Sequence, residues 1–455
     1  MKHGSHRTRN LYRTLATTML VGGVLLTTGA NTPTSAATPH ITISYWFYPE
    51  FDDVPGYLAQ TKVYGGWENL EIKWFEKSHP NITVDPRLLP YSDAGYQSVL
   101  NAITAGDPPD VIREAQLRLS LYHNLGVLYN LSSAISPADR SDFGSNLSVF
   151  TYNGGLFAYP LYAYHDVLLV NKSIFDQAGD SKLLPTNPGG NWTYSQFLTA
   201  VQAVNDPPKH WGVAVPSGDE TGDYYTAEYL YGYGATLFNA ADDRVILDSP
   251  AGVKGMTFLR TLDADNLIPP GSVVETYYNA ETLFIEGKVA IFPGSDLTWN
   301  EVSQGWASAK LPHFPITAVN YPSTSGTSHA VGAGPTGFGV FKKSNPAEQA
   351  AALEFADYLA SAPQERTDCV AAGQFCFRNS LAGVLGNAPG VQLTETIMDH
   401  NPVGNLGWSS PYYDIARPFF YPAVQAAMLG TESPSDALQR FQVQANQAIQ
   451  QQSKS

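Results

Sequence analysis

Residues 67–84, WENLEIKWFEKSHPNITV, set an amphipathic helix directly against a strand. Leu70, Trp74 and Phe75 recur at helical spacing, so one face of Trp67–Lys77 is offered to a core. Pro80 ends the helix, because the residue before proline is pushed out of the helical region. Ile82-Thr83-Val84 then opens a strand. The alternation continues on both sides. Residues 41–47 (ITISYWF) have period two and read as a strand. Residues 96–105 read as a second helix, stopped by Gly106-Asp107-Pro108-Pro109, and Asp110-Val111-Ile112 as a short buried strand. This order predicts an α/β chain with a largely parallel sheet and helices on its faces.

The rest of the chain repeats the style with more aromatic residues. Residues 156–160, 167–171 and 289–292 are strand-like. Residues 172–178, 251–264 and 280–286 predict helices, and Thr193 is placed to cap another. A Ser/Thr/Gly-rich stretch, 319–339, leads into a short strand at 339–341. Residues 346–360 predict a helix with proline in its first turn, and 423–451 a polar helical tail.

The first segment bears on compartment. Lys2, Arg7, Arg9 and Arg13 precede an apolar run from about Leu15 to Ala30 and small residues ending at Ala37. That order predicts a secretory signal peptide over residues 1–37. The run is broken by Gly22 and Gly23 and is short for a membrane anchor, which needs about 20 apolar residues. The chain carries a net charge of −15, which becomes more negative once the basic start is removed. Nucleic acid and anionic lipid are therefore not expected partners. Cys369 and Cys376 are the only cysteines. In an exported chain a disulfide between them is favoured over two buried thiols, and no cysteine is placed for a lipid anchor. Neither a metal nor a cofactor motif is present.

Six segments, in order, carry a resemblance across nearly the whole chain after residue 37. They are the opening strand with residues 74–84; Ala105-Gly106-Asp107-Pro108-Pro109-Asp110-Val111; Gly155-Leu156-Phe157-Ala158-Tyr159-Pro160 with Val170-Asn171-Lys172; Asn191–Phe197; Gly287–Gly294; and Gly337–Phe341 with Ser344-Asn345-Pro346. Together they resemble the extracellular solute-binding proteins that serve ABC importers, in the branch that includes maltose-binding protein. The resemblance implies the two-lobed periplasmic-binding-protein fold (type II). It places chain crossings near residues 158, 313 and 378. One lobe is then 38–158 plus 314–378, and the other 159–313 plus 379–455. It also implies capture of a carbohydrate by lobe closure, a monomer, ABC permease subunits as partners, and no enzymatic activity.

Candidate ligand residues follow from the same correspondence. Tyr48, Glu50 and Asp52 follow the first strand, and Arg113 and Glu114 the third. Tyr162 and Tyr164 lie at the first crossing, where similar proteins offer a carboxylate. Asp223, Tyr224, Tyr225 and Glu228 form the densest aromatic and acidic cluster. Ser295, Asp296 and Trp299 follow the 289–292 strand, where similar proteins place an aromatic platform. Phe338, Trp408, Tyr412 and Tyr413 complete the set. Two rivals stay open: a secreted glycosidase, which needs a carboxylate pair that no motif singles out here, and the same fold holding a polyamine or another non-sugar solute.

Overall fold

The computed structural model describes residues 39–48, 66–90, 93–220, 222–386 and 389–452. Residues 1–37, Glu50 and Asp52 lie outside the described residues. The strands are β1 (Ile41–Phe47), β2 (Ile82–Leu88), β3 (Val111–Ala115), β4 (Thr151–Tyr152), β5 (Gly155–Leu156), β6 (Ala158–His165), β7 (Val167–Asn171), β8 (Trp211–Val213), β9 (Val289–Gly294), β10 (Ile316–Val319), β11 (Val331–Val340), β12 (Phe375–Cys376) and β13 (Val403–Asn405).

They build two principal sheets. The larger runs β12-β6-β11-β3-β1-β2, with β13 paired to the start of β11. Its β1 is parallel to β2 and β3, as the alternating sequence predicts, while β11 runs antiparallel to β3 and β6. Pro86 fits because β2 is an edge strand, where a missing N–H removes no ladder bond. The smaller sheet runs β10-β7-β9-β8. Each sheet has its own core. Ile43, Phe75, Val111 and Phe355 pack on the larger, and Leu169, Phe197, Ile291 and Phe441 on the smaller. Both sheets belong to the unit that begins at His40.

Helix ends follow local chemistry. The helix Tyr194–Ala203 is opened by a capping box, in which Thr193 and Gln196 satisfy each other's backbone N–H groups. The helix Pro346–Leu359 has Asn345 as its cap and proline in its first turn.

The crossings depart from the expected positions. β6 stays in the larger sheet through His165 and β7 begins at Val167, so the chain changes sheets at Asp166 rather than near 158. The return lies beyond 313, because β10 still pairs with β7 and β11 begins the larger sheet again. The two crossings meet where the Asp166 N–H donates to the Gly332 carbonyl, at 2.8 Å. β11 is also longer than the short strand expected at 339–341. Its glycines have low strand propensity, yet its backbone is paired on both sides. At Gly334 the missing side chain leaves room for the Tyr164 ring, which occupies the place of a Cβ.

Candidate functional site

The helix Asp223–Tyr231 is buried along nearly its whole length, including its polar side chains. Its first turn carries Asp223, Tyr224 and Tyr225, and its last turns Glu228 and Tyr231. Tyr224 meets Tyr164 of β6 and Trp408, which follows β13. The ring centroids are 6.2 Å apart for Tyr164–Tyr224, 5.9 Å for Tyr164–Trp408 and 5.6 Å for Tyr224–Trp408. Tyr225 continues the aromatic surface, stacking on Tyr277 at 5.0 Å. One strand of the larger sheet and one helix on the smaller sheet's core thus contribute to a single aromatic wall.

A chain of charges runs beside it. Arg417 binds Asp223 with Nε to Oδ2 at 2.9 Å and Nη2 to Oδ1 at 3.0 Å, and lies 3.7 Å from Asp414. Asp414 is also 3.7 Å from Arg118, whose Nη1 meets Glu114 Oε1 at 3.1 Å. The Arg118 guanidinium carbon sits 3.3 Å from the Tyr96 ring centre. Burial raises the carboxyls of Glu114 and Asp223, while Arg118 and Arg417 respectively oppose that rise. Ser120 ties the same region together, donating to the carbonyls of Trp408 and Ser410.

A cavity of about 430 Å³ adjoins this wall. Gly407 and Ser409, which flank Trp408, line it together with Glu228, Tyr231, His329 and Gly332. His329 Nε2 is 2.6 Å from Glu228 Oε2. The volume lies in the range of small-molecule sites.

The structure gathers Tyr48, Glu114, Tyr164, Asp223, Tyr224, Tyr225, Glu228, Trp408 and Tyr413 around these features. Tyr48 feels Glu114, Tyr122 and Arg118, and its phenol is pushed up mainly by burial. Tyr413 packs edge-on to Trp408 and under Arg417. Tyr412 precedes this turn and is partly buried against the smaller sheet's core. Asp296 is close by: its Oδ1 accepts from the His165 N–H at 2.8 Å, and burial pushes its carboxyl up to about 8. Ser295 caps the helix Asp296–Ala309.

Others are placed elsewhere. Successive strand residues face opposite ways. Glu114 therefore joins the charge chain, while Arg113 turns into the larger sheet's core and pairs with Glu68 at 2.7 Å. Tyr162 and Phe338 are buried in that core. Trp299 packs against Gly390 of the helix Pro389–Met398. Cys369 and Cys376 are joined by a disulfide with Cα atoms 5.6 Å apart.

Tyr96, Arg118, Asp414 and Arg417 were not singled out by the sequence. The helix Gln116–Asn124 has no clear apolar face, so Arg118 gave no periodic signal. Only spacing was available: Glu114 and Arg118 are four apart, and Asp414 and Arg417 three.

The family model for bacterial extracellular solute-binding proteins matches residues 56–366. The chain belongs to that family. A binding protein of Brucella abortus (strain 2308) is 23% identical over 253 residues, 55% of this chain and 59% of the relative. The chain thus spans little more than half the length of that relative. Two solved structures share the fold more fully. The ABC transporter solute-binding protein of Thermotoga lettingae TMO, bound with α-D-tagatose, superposes with a TM-score of 0.72 at 20% identity, covering 90% of this chain and 99% of that one. The ABC substrate-binding protein Lmo0181 of Listeria monocytogenes, in complex with cycloalternan, gives 0.70 at 20% identity with the same coverage. The fold of this family member is thus the two-lobed α/β architecture. No helix among the described residues is long and apolar enough to cross a membrane.

Proposed function

We propose that this protein captures a carbohydrate outside the cell by lobe closure and delivers it to the permease subunits of an ABC importer. The observation that carries the reading is the Tyr164–Tyr224–Trp408 wall beside the Arg417–Asp223 pair and the adjoining cavity. Flat aromatic faces suit the C–H side of a sugar ring. The carboxylates and guanidiniums can satisfy hydroxyls that closure removes from water. Family neighbours were solved with tagatose and cycloalternan, which supports the same ligand class here.

Export through the basic and apolar start, action as a monomer without nucleic acid, and binding without turnover belong to this reading. The lobe limits are proposed to shift from residues 158 and 313 to Asp166 and to the segment between β10 and β11, with the third crossing near 378. The ligand set is proposed as Glu114, Tyr164, Asp223, Tyr224, Tyr225 and Trp408, joined by Arg118, Asp414 and Arg417.

Thermal shift across sugars and polyamines tests it. A ligand at 100 times its dissociation constant adds about 2.7 kcal/mol to stability. Stabilisation by a sugar that is recovered intact supports the reading. Cleavage of the sugar would mean a glycosidase, and stabilisation by polyamines alone would end the carbohydrate assignment.

A further inference from the structure

Asp166, the single residue between β6 and β7, is fully buried. Neither of its carboxylate oxygens has a hydrogen-bond partner among the described residues. Such a group costs about 1–3 kcal/mol, more if charged, so it needs an explanation. Its electrostatic neighbours are acids. Burial comes first, then Glu228 and Asp296, and all three raise its carboxyl; no lysine or arginine among the described residues offsets them. Asp166 in turn acts on Tyr224, Tyr225 and Tyr321. Adjacent His165 is kept neutral by burial, its imidazole lowered to about 4. His329 is engaged with Glu228.

Gly332 lies between this group and the cavity. A side chain there would collide with Glu228 Oε1 and come within 3.0 Å of Asp166 Oδ2. Gly332 and Glu228 both line the cavity. Glu228 and His329 thus line the cavity at Gly332, and the buried Asp166 carboxyl approaches the same bare Cα from outside the lining. No described residue donates to the Asp166 carboxyl oxygens, so that end is suited to receive a donor.

We infer that the solute carries a basic nitrogen, as in an amino sugar, whose ammonium is received by Glu228 and Asp166 at the Gly332 end of the cavity. This rests on the carbohydrate reading above and narrows it. An ammonium offers three donors and a charge, whereas a sugar hydroxyl offers one donor. Charge-assisted hydrogen bonds are roughly twice as strong as neutral ones. A buried acid is held protonated until a cation arrives, so the ammonium form binds with release of a proton from the acidic cluster.

Isothermal titration calorimetry tests this with neutral mono- and disaccharides, each paired with its amino counterpart. Titrations run in two buffers of different ionisation enthalpy. At least one amino sugar should bind about tenfold or more tighter than its neutral partner, a difference of about 1.4 kcal/mol. Its apparent heat should differ between the buffers by the proton released. In Asp166→Asn the amino-to-neutral ratio should fall to roughly threefold or less. If that variant does not fold, Glu228→Gln and the wild-type proton count serve instead. Neutral sugars that bind as well as their amino partners overturn the inference and leave the carbohydrate reading standing. Failure of every sugar overturns both.

Discussion

Arg417 holds Asp223 through two parallel hydrogen bonds, Nε to Oδ2 at 2.9 Å and Nη2 to Oδ1 at 3.0 Å, with both side chains almost wholly buried. The pair joins the segment after Trp408 to the start of the helix Asp223–Tyr231. Removing one partner of a buried pair leaves the other charge uncompensated, at about 3–5 kcal/mol. Arg417→Met should therefore lose about that much stability in urea denaturation. Asp223→Asn, which keeps an acceptor for the guanidinium, should lose less. The double variant should recover part of the loss. Equal and additive losses would show that the pair is not coupled.

Two tryptophans should behave differently. Trp408 belongs to the aromatic wall, with Tyr164 at 5.9 Å and Tyr224 at 5.6 Å, whereas Trp299 packs against Gly390 between two helices. Trp408→Ala should weaken sugar binding by about 2 kcal/mol, roughly thirtyfold, as truncation of a central aromatic anchor does. Trp299→Ala should lower the melting temperature and change affinity little. Calorimetric titration and thermal unfolding of both variants separate the roles. A larger affinity loss for Trp299→Ala would return that residue to the site.

Strands and helices were legible where periodicity and punctuation agreed. ITISYWF, the helix before His79-Pro80 and the Thr193 cap all lie where the sequence places them. Most of glycine-rich β11 carries no strand signal in the sequence, because its strand character comes from neighbours on both sides, not from its own residues. The site was legible as residue types more than as geometry. Asp223, Tyr224, Tyr225 and Glu228 form one dense polar-aromatic run in the sequence. Arg118 and Arg417 do not stand out, because their role depends on Asp414 lying 3.7 Å from each across distant segments. Arg113 misled because sequence proximity to a strand end does not say which face a side chain takes. Its neighbour Glu114 took the face toward the charge chain.

Asp296 gives stability a pH dependence. Burial pushes its folded carboxyl up to about 8, against 3.8 ordinarily. Between those values the folded chain holds a proton that the unfolded chain has lost. Stability from this group is therefore complete below the ordinary value and declines as pH rises toward 8. Asp296→Asn removes the titration, and its carbonyl can still accept from the His165 N–H. Urea midpoints from pH 5 to 8 should therefore fall less steeply in the variant than in the parent chain. Parallel slopes would mean that Asp296 is ionised in the folded protein.

The Cys369–Cys376 disulfide should stabilise the edge of the larger sheet. It ties the helix Ala362–Ala372 to β12, which is held on β6 by only two residue pairs, Phe375 with Ala163 and Cys376 with Tyr162. The same segment continues into Arg378, which binds Glu365 and Asp142 and so anchors the chain just past the bridge. Closing so short a loop removes little unfolded-state entropy, so the chain-entropy model assigns about 2.5 kcal/mol. The double variant Cys369→Ala/Cys376→Ala should lose about that amount or less. Hydrogen exchange should rise in residues 373–377 before it rises in β11 or β3, which lie at the centre of the sheet. Uniform loss of protection across the sheet would instead make the bridge part of the global folding unit.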